Sequence, residues 1–269
     1  MLLRLIEKFQ QAGLGESSHS ARPAVVLIAC CWAAWSTGCE EEKPVPTKPQ
    51  PAEAPAPAPK VESPPRLSID AGGPSVRGMT AVLEQPNGSL SDLGVSKLKQ
   101  YLIDEKKFIE SHEVKVTVDR QAKPSQVALF LNELGVLSPS RVVVVTDTRP
   151  SFSKELTFVP ESQLESPPEC SLLGTITEDR GTAIWRLSGG AARKRPRGMG
   201  GPDLSMTAET IESMTKSCDS DLFFVTAPPD VEWGLVYDLA ASGVALEDAS
   251  LDRAVIPSKP QTMGRPVEL

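Results

Sequence analysis

Imidazole chemistry is almost absent from this chain, which has only two histidines, His19 and His112, in 269 residues. A lone imidazole cannot build a multi-histidine metal site, and it would have to serve any Cys or Ser nucleophile unaided. His112 sits in Glu110-Ser-His-Glu113 ahead of a strand pattern and reads as an exposed loop residue. No Cys-x-x-Cys and no His-Glu-x-x-His occurs. Gly198-Met-Gly-Gly-Pro-Asp203 lacks both the Lys-Ser/Thr of a phosphate loop and the last glycine of Gly-x-Gly-x-x-Gly. The expectation is therefore no catalytic residue, no cofactor, no metal and no enzyme. The enzymatic alternative is a cell-wall hydrolase using two carboxylates, a pair that would meet only in space. Glu178 and Asp179 are the adjacent acids of a turn and read most simply as solvated. One cluster stands apart. Arg193, Lys194, Arg195 and Arg197 put four cations into a glycine-rich stretch of a protein whose formal net charge is -7. A flexible loop of that kind can grip peptidoglycan carboxylates or lipid headgroups, partly through backbone N–H groups, or it can be a solvated loop. The acidic balance argues against a nucleic-acid partner, which selects an excess of Lys and Arg.

The N-terminal segment reads as export signal rather than fold. Met1–Arg22 is polar, and Ala24–Trp35 is twelve residues without a charge. At 1.5 Å per residue a helix of that length spans about 18 Å, short of the roughly 30 Å of a hydrocarbon core. It fits a signal-peptide apolar region. Ser36-Thr-Gly-Cys39 resembles the lipobox of bacterial lipoproteins, which implies lipidation at Cys39 and a signal spanning 1–38. A simple secretory signal and an uncleaved anchor are the other readings. Residues 39–65 form a linker in which nine of the 22 residues from Pro44 to Pro65 are proline. In polyproline II form it would reach up to roughly 80 Å from its lipid. With Cys30, Cys31 and Cys39 assigned to the export segment, Cys170 and Cys218 are the remaining pair. Export favours a disulfide between them, the alternative being two buried thiols.

Two stretches of alternating strand and helix patterns follow, at 66–160 and 169–258, with a tail at 259–269. In the first, short strands at Leu67–Asp70 and Met79–Leu83 flank Gly72-Gly-Pro74, and Gln85-Pro-Asn-Gly88 is a further turn. Leu93, Leu98, Tyr101 and Leu102 recur at helical spacing through Ser91–Phe108. Val114, Val116 and Val118 alternate with polar residues as a half-buried strand. Pro124 opens a helix expected to stop at a left-handed Gly135. Arg141–Thr146 is an apolar strand, and Phe152–Val159 an edge strand. In the second, Leu172–Thr177 and Thr182–Leu187 flank the hairpin turn Glu178-Asp-Arg-Gly181. Ser205 or Thr207 is expected to cap a helix carrying Ile211, Met214 and Cys218 on one face. Asp221–Thr226 is a strand, Glu232–Ser242 a helix closed by Gly243, and Arg253–Ile256 a last strand. Positions 114–118 and 125–134 recur 108 residues later, at 222–226 and 233–242. The predicted class is α/β in two layers, as two tandem units, each a small mixed sheet with two helices on one face. Trp185 and Trp233 are expected in the core.

Val114-Lys-Val-Thr-Val-Asp119-Arg120, a helix ending at Gly135 and Val142-Val-Val-Val-Thr146 resemble the extracytoplasmic domain of the ExbD/TolR biopolymer-transport family. Trp233-Gly-Leu-Val-Tyr237 is similar to the family's helix start, although Leu222–Ala227 ends without the aspartate. With the lipid anchor implied by the lipobox, the resemblance implies a protein of the Gram-negative envelope facing the periplasm. As partners it implies ExbB/TolQ-like motor components or peptidoglycan. It also implies an intramolecular pseudo-dimer of the two repeats, because domains of this family dimerise. Asp119 is then a candidate partner contact, the other reading being a strand-end turn cap. The family's membrane helix carries a proton-handling aspartate, and the twelve-residue stretch here has no acid, so no proton conduction is expected.

Overall fold

A computed structural model describes residues 62–83, 91–246 and 250–269. The export segment, Cys39, the linker up to residue 61 and the Gln85–Gly88 turn lie outside the described residues.

The chain from Leu67 builds a mixed α/β structure with one large sheet and, among the described residues, five helices. A hairpin of β1 (Leu67–Asp70) and β2 (Gly73–Val76), extended by the two residues of β3 (Met79–Thr80), leads into α1 (Asp92–Asp104) and the single turn α2 (Lys106–Ile109). β4 (Glu113–Val118), α3 (Pro124–Val136), β5 (Arg141–Val145) and β6 (Glu155–Phe158) follow. A second hairpin, β7 (Leu172–Ile176) and β8 (Thr182–Arg186), continues into β9 (Arg193–Arg195) and a small separate ribbon of β10 (Arg197–Gly198) and β11 (Gly201–Pro202). The fold closes with α4 (Leu204–Thr215), β12 (Leu222–Thr226), α5 (Trp233–Val244) and β13 (Arg253–Val255).

Eleven strands lie in the order β3-β2-β1-β4-β5-β6-β13-β12-β7-β8-β9. β1, β4 and β5 are mutually parallel, as are β6, β13, β12 and β7, and the two sets run antiparallel where β5 meets β6. The expected edge strand at 152–159 is therefore interior: β6 exchanges its ladder with β5 on one side and pairs Phe158 with Ala254 of β13 on the other. What was expected as two small sheets is one continuous sheet, and 60–269 forms one compact unit.

The pattern of each strand states which faces are covered. In β4, Val114, Val116 and Val118 are buried while Glu113, Lys115 and Thr117 are exposed, so one face meets helices and the other meets water. The valines share a core with Leu98 and Leu102 of α1, Phe130 and Leu134 of α3, Ile211 of α4, and Trp233 and Tyr237 of α5. All the longer helices thus lie on one face of the sheet. β7, β8 and β12 are buried on both faces. The second face of this part of the sheet carries Leu173, Trp185, Phe224, Val255 of β13 and Leu187 just after β8, covered by Met263 and Val267 of the tail. The tail is fixed there by Val267 N donating to Leu187 O at 2.8 Å and Trp185 Nε1 donating to Arg265 O at 3.1 Å.

Several local expectations are corrected. α3 and α5 run through Gly135 and Gly243 without a left-handed residue at either position. These glycines serve packing: a Cβ at Gly135 would lie 2.4 Å from Pro160 Cβ, and one at Gly243 would lie 2.5 Å from the Phe223 ring. Asp203 caps α4 by accepting from Met206 N at 3.1 Å, in place of Ser205 or Thr207. The first helix breaks at Glu105, and Leu93 is exposed on it. Ser91 caps α1, accepting from Gly94 N. Cys170 and Cys218 stand at disulfide-bonding distance with Cα atoms 5.5 Å apart, joining the start of β7 to the end of α4. No helix among the described residues is long and apolar enough to cross a membrane.

Candidate functional site

The loops that follow β4 and β12 lie side by side, each next to the helix N-terminus that the other leads into. On one side α5 begins against the loop after β4: Trp233 N donates to Ala122 O at 2.9 Å and Gly234 N to Arg120 O at 2.8 Å. One turn into α5, Asp238 is fully buried. Arg120 clamps it with two N–H donors, Nη1 to Oδ1 at 3.1 Å and Nη2 to Oδ2 at 2.9 Å. Thr148 Oγ1 donates to Oδ1 at 2.5 Å and Arg149 Nε lies 3.3 Å from Oδ2. The carboxylate thus has partners on both oxygens, as a buried charge requires. Its hydrogen bond holds the Arg120 guanidinium above the ordinary arginine range against the opposing effect of burial. Gly234 leaves the room for this clamp, since a Cβ there would stand 2.7 Å from Arg120 Nε. Trp233 Nε1 donates to Thr146 Oγ1 at 2.9 Å beside it.

Tyr237, on the same helix, packs near Trp233 and Phe158, with ring centroids 6.0 and 6.5 Å away. Its hydroxyl donates weakly towards Val144 O at 3.3 Å and Ser153 O at 3.4 Å. Burial, reinforced by the charges of Glu155 and Asp238, pushes this phenol well above the usual tyrosine range.

The other side is open. A crevice of about 720 Å³ lies beyond the carboxyl ends of β7, β12 and β13, reached by Ile176, Thr226 and Ile256. Ser125 and Ala128 of α3 form one side, and prolines 228, 229, 257 and 260 form much of the wall. Glu178 and Asp179 of the β7–β8 turn and Lys194 of β9 stand on the rim. Hydrogen bonds from Thr177 Oγ1 and Gly181 N hold the Asp179 carboxyl below the usual aspartate range, with a smaller contribution from Lys194. Its volume is in the range of ligand sites, roughly 300–1,000 Å³. Its place beyond strand carboxyl ends is where open α/β sheets bind ligands.

The sequence candidates fall on both sides of this picture. Asp119 is exposed and makes a local turn, accepting from Gln121 N at 2.7 Å. The basic cluster is not a free loop: Arg193, Lys194 and Arg195 form the edge strand β9, paired with β8. Arg193 donates to Ser213 Oγ and Arg195 Nε to Thr210 Oγ1, both on α4. Lys194 and Arg197 carry no such partner among the described residues. Charged edge strands deter pairing with other chains, and Pro196 ends this one. His112 is exposed, as expected, and Trp185 and Trp233 are in the core. Among the described residues no group of three or more His, Cys, Asp or Glu is placed to hold a metal ion. Sequence reasoning missed Asp238, Thr148 and Arg149; the available signal was a single acid in the apolar run from Trp233 to Ala241. It missed the crevice too, although Pro228-Pro229 and Pro257 directly follow strand patterns.

Comparison of the chain with family models, with curated proteins and with solved structures finds no match.

Proposed function

We propose that this chain is a non-enzymatic, lipid-tethered protein of the Gram-negative cell envelope that faces the periplasm. In this reading it is accessory to an ExbD/TolR-type biopolymer-transport system and binds a protein partner or peptidoglycan. Residues 66–160 and 169–258 are its two ExbD/TolR-like units, carried on the linker at 39–65. One observation carries this reading. On both sides of the β6–β13 junction the chain follows the order hairpin, helix, parallel strand, helix, parallel strand, and α5 docks on the loop after β4 through Arg120 and Asp238. That order supports an intramolecular pseudo-dimer in which two units share one sheet. The reading assigns the protein no proton conduction, because its apolar segment at 24–35 carries no acid.

The test uses the full-length protein in its envelope. Palmitate labelling of wild type and Cys39→Ala checks the tether; label retained in the variant would remove it from the reading. Affinity purification from detergent-solubilised envelopes, together with pelleting on purified peptidoglycan, checks the binding role. Recovery of ExbB/TolQ-like components or of the protein in the peptidoglycan pellet is expected. Absence of both would overturn it, as would glycan release from cell wall by the purified protein.

A further inference from the structure

We infer that the crevice beyond β7, β12 and β13 is a binding site for a short peptide with small side chains and free charged ends. The inference rests on the binding role proposed above and names the element recognised there.

Three features select this class. The first is the apolar body. Ala128, Ile176, Ala227 and Ile256 with the prolines give a wall of small, rigid surfaces, and proline lacks the N–H donor that would otherwise need a partner inside the site. The second is a scatter of single hydroxyls. Ser125, Thr226 and Ser258 line the crevice, and their side chains have no hydrogen-bond partner among the described residues. Dispersed single donors and acceptors suit the amides of an extended chain. They would be desolvated without compensation under an alkyl chain.

The third is the rim, which carries both signs. Glu178 has no hydrogen-bond or ion-pair partner among the described residues and can take an ammonium group, and Lys194, whose charge acts on Asp179 at a distance without a hydrogen bond, can turn to a carboxylate. The other two cations of the lining already donate within the protein, Arg195 Nε to Thr210 Oγ1 and Lys259 Nζ to Leu269 O. A polyanion would meet these cations interleaved with the acids Glu178 and Asp179. A zwitterionic peptide finds a counter-charge for each end.

The neighbouring Arg120 cluster shows what closes such a space. The loop after β4 supplies Arg120, whose side chain fills the space beside the helix N-terminus and reaches Asp238. The residue 108 positions after Arg120 is Pro228, which lines the crevice and has no long side chain to cross it, and the residue 108 positions before Asp238 is the buried, apolar Phe130. The crevice has no ion pair of that kind across it.

Calorimetry on the detergent-solubilised full-length protein tests this with two probes. One is stem peptides released from purified peptidoglycan by an amidase; the other is linear all-L alanine-rich tetrapeptides. Binding of either is expected, and the tighter probe identifies the source. Capping both peptide ends should weaken binding by about fivefold, the loss expected of partly exposed ion pairs. Ala227→Trp, which fills the crevice, should weaken it by about tenfold or more, with near-ultraviolet circular dichroism confirming the fold. Lys194→Gln lies on an exposed edge and should weaken binding of free carboxylate ends alone. No binding of either probe at millimolar concentration, or equal binding by a folded Ala227→Trp variant, would overturn the inference. Ala227→Trp that still pellets with whole peptidoglycan, or still recovers transport components, would remove the crevice from the mechanism and leave the proposed function standing.

Discussion

Replacing Asp238 with Asn should destabilise the fold by about 3 kcal/mol, the low end of the roughly 3–5 kcal/mol seen when one partner of a buried ion pair is removed. The substitution keeps the shape but turns one acceptor oxygen into a donor. Either the Arg120 Nη2 or the Thr148 hydroxyl then faces an amide N–H at a carboxylate position that is itself buried. The low end applies because the Arg120 and Arg149 side chains are 34% and 39% exposed and can recover hydration, whereas the Asp238 side chain is 1% exposed and cannot. For a unit of this size the loss corresponds to a melting temperature lower by about 6–12 °C. Urea unfolding followed by the fluorescence of buried Trp233, whose indole lies one turn from Asp238, reports it. A double-mutant cycle sharpens the test. Arg120→Ala leaves the carboxylate with Thr148 and Arg149, and the double variant should cost less than the sum of the singles by about 1–3 kcal/mol. A cost below about 1 kcal/mol for Asp238→Asn, or additivity within about 0.5 kcal/mol, would refute the account of this cluster as the tie between α5 and the loop after β4.

Reduction of the Cys170–Cys218 pair, or its double replacement with Ala, should cost on the order of 4 kcal/mol by the chain-entropy model, since it closes a loop with a sequence separation of 48. Denaturation with and without reductant measures it. Gly243→Ala should cost about 1–3 kcal/mol by overpacking, because its Cβ would stand 2.5 Å from the Phe223 ring, and unfolding midpoints read this directly. The raised Tyr237 phenol gives a signed pH dependence: the folded state holds this proton above the unfolded value of 10.0, so stability is intact below that pH and falls as pH rises beyond it. Tyr237→Phe should flatten that alkaline limb in pH-resolved denaturation. Deleting Met263–Leu269 should uncover Leu173, Trp185 and Phe224 and raise binding of an anilinonaphthalene dye; unchanged dye binding would show that the tail is not what covers this face.

Strand and helix patterns were legible where one face alone decides the residue. Val114, Val116 and Val118 alternate because β4 has helices on one side and water on the other. The apolar runs of β7 and β12 carried an ambiguity that periodicity cannot resolve: a residue buried on the second face of a sheet looks the same whether a helix or a tail covers it. Here the cover is Met263 and Val267, in a stretch whose proline and glycine content reads as loop. Gly135 and Gly243 were legible as special positions and misread in kind, because a glycine needed for close packing and one needed for a left-handed cap leave the same letter. The contacts that decide between them, Pro160 in one case and Phe223 in the other, are distant in sequence.

The site was less legible for a related reason. Arg120 stood in the strand motif and Asp238 in a helix 118 residues away, and only the antiparallel meeting of β5 and β6 brings the two ends together. A carboxylate on an apolar helix states that it must have a partner, but the partner's identity depends on which strand end the helix N-terminus reaches. The same dependence explains why the basic run was misplaced. Arg193 and Arg195 alternate with Lys194, a strand period of three residues too short to stand against the glycines around it, and the edge of β8 is what turns it into a strand. Once it pairs, the period fixes the chemistry. Arg193 and Arg195 turn to hydroxyls of α4, and Lys194 stands on the rim of the crevice near Asp179 without a hydrogen bond. Four charges that suggested an anion-gripping loop thereby become two structural donors, one rim lysine and Arg197, which shifts the expected ligand from a polyanion to a molecule carrying one negative end.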